Sequence, residues 1–296
     1  MIYELAALGA ATCWAMTGII SVVPANHLGA FAFGRLRQLF VTAVLGVYVL
    51  STGVWQQLNG DTVPPLLLSG LIGVFLGDTL LFAALNRLGP RRCGILFSLN
   101  APISAVLGFV FLGEKLALQA VGGIALIVSG VALAIFYGRR KRQSHAWEQV
   151  RGPLWIGILL GLGAATGQAV GAIIARPVME SGIDPFLASM LRVGTAGLCL
   201  SLLMALPIAS VKPLAPLNGR IAVLACLSAF IALAVGMTLL LFALSGGKVG
   251  IVTTLSATSP VLILPLLWAR TGERPALGAW AGAALVIAGM ALLFVR

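Results

Sequence analysis

The sequence predicts an all-α integral membrane protein of ten transmembrane helices, built as two inverted five-helix repeats. Three observations lead to this prediction. The 296 residues are 60% hydrophobic and only 9% charged, whereas a soluble chain has about 25% charged residues. The apolar residues fall into separate segments of membrane-spanning length. The same pattern of residues also occurs twice along the chain.

Ten apolar segments are long enough to cross a bilayer, since a spanning helix needs roughly 20 mostly apolar residues. Prolines such as Pro24, Pro90 and Pro207 separate several of them, because proline stops or kinks a helix. The predicted helices cover approximately residues 4–23, 29–51, 64–86, 92–112, 117–137, 153–175, 185–206, 218–243, 248–269 and 276–295.

The longest polar interval divides these helices into two sets of five. Residues 138–152 form a predicted basic connecting loop, which carries Arg139-Arg140-Lys141-Arg142. Residues 1–137 would then be the first repeat, with helices 1–5, and residues 153–296 the second, with helices 6–10. Because five is odd, the two repeats would cross the membrane in opposite senses. Transporters with such inverted repeats place the substrate site near the midplane, between the halves.

The repeat is carried by short motifs that recur in register. Gly77-Asp78-Thr79 corresponds to Gly236-Met237-Thr238, and Gly113-Glu114 corresponds to Gly272-Glu273. Gly123 and Gly130 correspond to Gly282 and Gly289. One difference stands out, because the acid Asp78 has Met237 as its counterpart.

These motifs resemble the drug/metabolite transporter superfamily in its ten-helix form with two EamA-type repeats. Further residues that carry the resemblance are Ala84-Leu85 and Pro102 in the first repeat and Ala243-Leu244 and Pro260 in the second. The resemblance covers nearly the whole chain. It implies a multi-pass protein of the cell inner membrane that moves small organic solutes, often exporting amino acids or their analogues. Other members carry nucleotide sugars, vitamins or drugs, and the aromatic amino acid exporters offer a functional comparison.

Asp78 is the first candidate for the substrate site, because a charged side chain inside a membrane helix costs a few kcal/mol unless it faces a cavity or a partner. It could accept a proton and couple transport to a pH gradient, or it could face a substrate amine. The structural alternative is a pair with a basic or hydroxyl side chain on a neighbouring helix.

Arg37 and Arg192 are repeat counterparts near the start of the second and seventh predicted helices. Their planar guanidinium groups suit a carboxylate or phosphate. The alternative is that they reach lipid headgroups from near the helix ends, which we favour for Arg35.

Uncharged polar residues complete the predicted substrate site. Trp14 and Gln168 occupy one repeat-related position, so each half could present one large polar-tipped side chain to a shared cavity. Asn100 and Thr258 lie two residues before Pro102 and Pro260, where a proline frees backbone carbonyls. Thr79 follows Asp78, and Asn86 and Ser98 are further polar candidates. For all seven, packing or hydrogen bonding between helices is the alternative. Glu114 and Glu273, at helix ends, are predicted to cap a helix or to pair with the adjacent base.

No pattern indicates an enzyme, a metal site or a cofactor. The four cysteines all lie in apolar segments without metal-ligand spacing, and both histidines fall in or near loops. The glycine-rich runs lie inside apolar helices, so they do not indicate a nucleotide site. A net charge of +11 does not indicate nucleic acid here, because the basic residues sit mainly between apolar segments. The expected partners are a small-molecule substrate and the lipid bilayer, with the protein a monomer or a homodimer.

These observations favour a secondary transporter, an exporter of amino acids or related compounds that works by alternating access. A membrane-embedded binding or scaffolding subunit is the alternative, as is a facilitator for nucleosides, vitamins or drugs.

Charge also predicts the orientation, because short loops rich in lysine and arginine stay in the cytoplasm. The connections after predicted helices 3, 5, 7 and 9 hold twelve such residues, whereas those after helices 2, 4, 6 and 8 hold only Lys115, Arg176 and Lys248. Both termini are therefore predicted to face outward.

Overall fold

The computed structural model describes residues 1–137, 152–208, 211–271 and 276–294. Every element of regular structure in these ranges is a helix. The basic cluster Arg139-Arg140-Lys141-Arg142 and the motif Gly272-Glu273 lie outside the described residues.

Six helices in the described part of the chain are long and apolar enough to cross a membrane: Ile2–Ile20, Ala30–Thr52, Val63–Leu85, Leu154–Glu180, Pro185–Ala205 and Gly219–Gly246. Shorter apolar helices follow at Leu96–Leu112, Leu118–Leu133, Val249–Ile263 and Leu277–Leu293. The predicted class, an all-helical multi-pass membrane protein, is confirmed.

The first half of the chain contains seven α-helices. They are α1 (Ile2–Ile20), α2 (Val22–Leu28), α3 (Ala30–Thr52), α4 (Val63–Ser69), α5 (Gly77–Ser98), α6 (Asn100–Leu112) and α7 (Leu118–Tyr137). A short 3₁₀ turn, Val54–Gln57, follows α3, and a π-helical stretch, Gly70–Leu76, joins α4 to α5.

The second half resembles the first but divides its helices differently. Its helices are α8 (Leu154–Glu180), α9 (Pro185–Ala205), α10 (Gly219–Ala229), α11 (Thr238–Gly246), α12 (Val249–Ser256), α13 (Ser259–Thr271) and α14 (Leu277–Phe294). A second π-helical stretch, Phe230–Met237, joins α10 to α11. We call Gly70–Leu76 and Phe230–Met237 the first and second π segments.

The equivalent helices of the two halves run antiparallel to each other. Along α3 and α9, Gln38 packs against Gly197 and Thr42 against Gly194, so one number rises as the other falls. Along α7 and α14, Gly123 lies against the carbonyl of Gly289 and Gly130 lies against the carbonyl of Gly282, which is again an antiparallel order. These glycines let the two backbones approach closely, as small residues do between membrane helices.

The connection between the third and fourth predicted helices differs from the expectation that Pro90 ends a helix. Helical structure continues from Gly77 to Ser98, yet this stretch is not straight. The thiol of Cys93 donates to the carbonyl oxygen of Leu81 at 3.6 Å, whereas twelve residues of straight helix would span about 18 Å. The chain therefore turns back between these residues.

Two further boundaries differ from the sequence prediction. The sixth predicted helix extends to Glu180, so Arg176 lies inside α8 rather than in a loop. The ninth is interrupted at Ala257 and Thr258, between α12 and α13. Arg87, Arg91 and Arg92, which the loop count places on the opposite side, likewise lie inside α5, so the orientation stays a prediction from charge.

The start of the first helix and the end of the last helix lie at the same face of the molecule. Tyr3 packs against Gly246, and the ammonium group of Lys248 donates to the carbonyl oxygen of Lys115. From the next helix, Gln119 Nε2 donates to the carbonyl oxygen of Leu292 at 3.1 Å. This chain of contacts joins the start of α1, the start of α7 and the end of α14.

Candidate functional site

One cavity lies between the two halves and has a volume of about 110 Å³. Five of the predicted polar residues line it together: Trp14, Ser98, Asn100, Gln168 and Arg192. The remaining lining residues are Phe97, Ser104, Ala172, Leu240, Thr253, Ser256, Ala257 and Ser259. Both halves thus contribute polar side chains to one space.

Arg192 is the charged residue that lines the cavity, and its side chain is 1% exposed. It reaches this place because α9 packs tightly against the first π segment. A Cβ atom added at Gly70 would lie only 2.6 Å from the carbonyl oxygen of Arg192, and one added at Gly73 would lie 3.2 Å from Arg192 Nη2. Glycine at these two positions therefore makes room for the arginine.

The guanidinium group of Arg192 is only weakly satisfied by the protein. Its Nη1 lies 3.6 Å from Sδ of Met237, and thioether sulfur is a weak acceptor. Its Nε has no hydrogen-bond partner among the described residues. A buried arginine in this state leaves donors available to a bound solute.

Asn100 and Ser104, on consecutive turns of α6, also carry unused polar atoms. Neither Asn100 Oδ1 nor Ser104 Oγ has a hydrogen-bond partner within the described ranges, and both atoms are buried. An unsatisfied buried polar atom costs about 1–3 kcal/mol. A polar solute in the cavity would supply the missing partners.

Trp14 and Gln168 occupy corresponding places, as their repeat relationship predicts. Trp14 Nε1 donates to the carbonyl oxygen of Ala232, in the second π segment, at 3.0 Å. Gln168 lies beside Gly73, in the first π segment. Each of these side chains therefore packs against the π segment of the opposite half. Such segments leave backbone groups of a helix unpaired and are frequent at functional sites.

Asp78 and Arg37 do not line the cavity. Asp78 begins α5 and lies within electrostatic range of both Arg37 and Arg192. The Arg37 guanidinium lies over the ring of Phe33, 5.0 Å from its centroid. Among the described residues, the two arginines thus interact electrostatically with one and the same carboxylate.

Family membership follows from comparison with known proteins. The profile of the EamA-like transporter family matches residues 1–136 and 155–295. The chain belongs to this family.

Curated relatives of this EamA-like transporter align with only part of it. An uncharacterized transporter of Archaeoglobus fulgidus is 30% identical over 143 residues, which are 48% of this chain and 50% of that protein. The threonine/homoserine exporter RhtA of Escherichia coli K12 is 30% identical over 138 residues, 44% of each chain. The chain therefore aligns with about half the length of these two relatives.

Two further comparisons concern extent and fold. An uncharacterized transporter from the cobO 3' region of a Sinorhizobium species is 29% identical over 137 residues, which are 45% of this chain and 97% of that protein. One solved crystal structure superimposes on this chain with a TM-score of 0.80 at 18% sequence identity. The superposition covers 99% of this chain and 96% of the chain in that structure. That likeness establishes the same fold. The predicted membership of the drug/metabolite transporter superfamily with two EamA-type repeats is confirmed.

The remaining predicted site residues of this EamA-like transporter lie outside the cavity. Thr79 Oγ1 is buried and has no partner in the described part of the chain, and the same holds for its counterpart Thr238. Thr258 is fully buried, and its hydroxyl donates to the carbonyl oxygen of Leu255 at 2.7 Å, at the break between α12 and α13. Thr258 thus completes a helix end.

Four hydroxyl-bearing residues line the cavity although the sequence analysis did not select them: Ser104, Thr253, Ser256 and Ser259. A signal for three of them exists, since the stretch from Thr253 to Ser259 contains five hydroxyl residues between two apolar runs. Ser104 carries no such signal, because a single serine in an apolar helix is more often a packing residue.

Glu114 has the structural role expected of it, with a different partner. Its carboxylate accepts from the backbone N–H of Val249, at 2.9 and 3.0 Å, and so caps α12. It also lies 3.7 Å from Nε of Arg176 rather than pairing with the adjacent Lys115. Gly113, with a φ of 65°, turns the chain after α6 so that Glu114 can reach these partners. This contact joins the first half to α8 and α12 of the second.

Proposed function

We propose that this protein is a secondary transporter that exports small amino-acid-like metabolites across the cell inner membrane by alternating access. The observation that carries the proposal is the cavity between the halves, which both halves line with buried polar side chains. Family membership supports transport in general. The threonine/homoserine exporter among the relatives supports amino acids as the solute class.

The size of the cavity supports a small solute. Its volume is about 110 Å³, whereas pockets for drug-sized ligands measure about 300–1,000 Å³. An engineered cavity of roughly 150 Å³ admits benzene. A solute with a handful of heavy atoms is therefore favoured over nucleosides, vitamins or drugs.

The proposed architecture has ten crossings, formed by the six long helices and the four shorter apolar ones. Residues 1–137 and 153–296 would be the two EamA repeats, joined by the basic loop 138–152. The antiparallel packing of α3 on α9 and of α7 on α14 supports an inverted relation between them. Rocking of the halves would then expose the cavity to each side in turn.

Reconstitution into liposomes tests the proposal. Purified protein should exchange at least one member of a panel that contains threonine, homoserine, aromatic amino acids, nucleosides and small amines. Protein-free liposomes provide the control for leakage. Absence of exchange across the whole panel, from protein that is folded by gel filtration, would contradict the proposal and favour a binding or scaffolding subunit.

A further inference from the structure

We propose that the cavity selects its solute by a carboxylate group, which Arg192 binds, and that an amino group on the solute contributes little to binding. This inference rests on the proposed function and deepens it, because it names the chemical group that the site recognises. It is carried by a difference between the two repeats.

The difference lies at the position of Asp78 and Met237. In the first half, this position holds an acid, Asp78, which interacts electrostatically with Arg37. In the second half, the corresponding arginine, Arg192, meets the sulfur of Met237 instead, with Nη1 3.6 Å from Sδ. Since Asp78 is the acid that interacts electrostatically with both arginines, one of the two positive charges has no counter-ion of its own among the described residues. A second acid at position 237 would have cancelled it.

The position of the excess charge favours Arg192 as the binding group. Arg192 lines the cavity, whereas Arg37 and Asp78 do not. None of the lining residues in the described part of the chain is acidic, so a solute amine entering the cavity would meet a cation and no carboxylate from them. An anionic group would instead meet the planar guanidinium, whose donors match a carboxylate.

The rest of the cavity suits the remainder of such a solute. Asn100 Oδ1 can accept a hydrogen bond from a hydroxyl or amide group and Ser104 Oγ can donate or accept one, since neither has a partner among the described residues. Trp14, Phe97 and Leu240 provide apolar surface for a short side chain. The site therefore fits a small carboxylic acid with one further polar group.

Three matched compounds separate the carboxylate from the amine. L-threonine carries both groups, 3-hydroxybutyrate lacks the amine, and 1-amino-2-propanol lacks the carboxylate. Binding to purified protein is measured from the concentration dependence of the apparent melting temperature, since a ligand of the folded state raises it. We expect the affinity for 1-amino-2-propanol to be lower than that for threonine by a factor of about 30 or more. 3-Hydroxybutyrate should bind within about tenfold of threonine.

Substitutions at Met237 test the origin of the site. Met237→Asp places an acid beside Arg192 and should weaken binding of both acids by about 30-fold or more. Met237→Leu, of similar volume and without charge, is the matched control and should bind within about threefold of wild type. Met237→Asn separates the effect of polarity from that of charge and should also retain binding, which keeps the test informative if the aspartate variant does not fold.

Asp78→Asn tests the role of the amine directly. It should leave the ratio of threonine to 3-hydroxybutyrate affinity unchanged, because Asp78 faces arginines rather than the solute. A selective loss of threonine affinity in this variant would overturn the proposal, as would equal binding of 1-amino-2-propanol or full binding by Met237→Asp. Exchange of amines or nucleosides, without response to either acid, would overturn the carboxylate inference and leave the transport function standing.

Discussion

Gly130 provides a quantitative test of the close packing between α7 and α14. A Cβ atom added there would lie 2.6 Å from the carbonyl oxygen of Gly282 and 2.8 Å from the backbone nitrogen of Val286. Both neighbours are backbone atoms, so they can give way only if α14 moves. Overpacking of this kind costs about 1–3 kcal/mol. Alanine gains about 0.5–1 kcal/mol over glycine within a helix, so Gly130→Ala should be destabilised by about 0–2.5 kcal/mol overall.

Gly122, in the same helix, is the matched control. A Cβ atom added at Gly122 would meet nothing within 4 Å. Gly122→Ala gains the same helix propensity without the clash, so the difference between the variants measures the packing cost alone, about 1–3 kcal/mol. Thermal unfolding of both variants in one detergent measures it. Equal stability of the two variants would refute the reasoning that α7 and α14 touch at Gly130.

Three other predictions concern coupling, the capping contact of Glu114 and orientation. Asp78→Asn should abolish accumulation driven by a pH gradient in proteoliposomes and spare solute exchange; wild-type accumulation would exclude Asp78 from coupling. Glu114→Ala removes the cap of α12 and a partner of Arg176, so it should lower the free energy of unfolding by about 1–3 kcal/mol. Glu180→Ala removes a carboxylate that is 54% exposed, so it should lower this free energy by less. Equal unfolding temperatures of the two variants would contradict the prediction. Alkaline phosphatase fused after residue 296 should be active in the periplasm, and a fluorescent cytoplasmic fusion would reverse the predicted orientation.

The class of the fold and part of the candidate site follow from the sequence because their causes are local. Long apolar segments determine membrane helices, and an internal repeat relates the positions of Trp14 and Gln168 before any coordinates are known. The same repeat pairs Arg37 with Arg192, and a buried arginine must have a reason to be there. The sequence therefore identifies which residue types are costly in a membrane.

The sequence does not reveal which of these residues share a cavity, because that depends on contacts between distant helices. Arg192 enters the cavity because Gly70 and Gly73 let α9 approach the first π segment, and neither the π segment nor this approach has a local signature. Arg176 pairs with Glu180 one turn further along α8 and also lies 3.7 Å from Glu114 on another helix; loop-based charge counting could not foresee the second contact. Thr258 lies at the predicted proline-associated break, yet its hydroxyl is used by its own helix end.

The central claim is that solutes pass through the cavity between the two halves. Ser104 and Val110 test it most directly, because both lie on α6 but Ser104 lines the cavity while Val110 is 63% exposed and does not line it. Exchange of labelled threonine is measured in proteoliposomes that contain Ser104→Phe or Val110→Phe. We expect Ser104→Phe to reduce exchange to the level of protein-free liposomes and Val110→Phe to retain it. Undiminished exchange by folded Ser104→Phe would contradict the account.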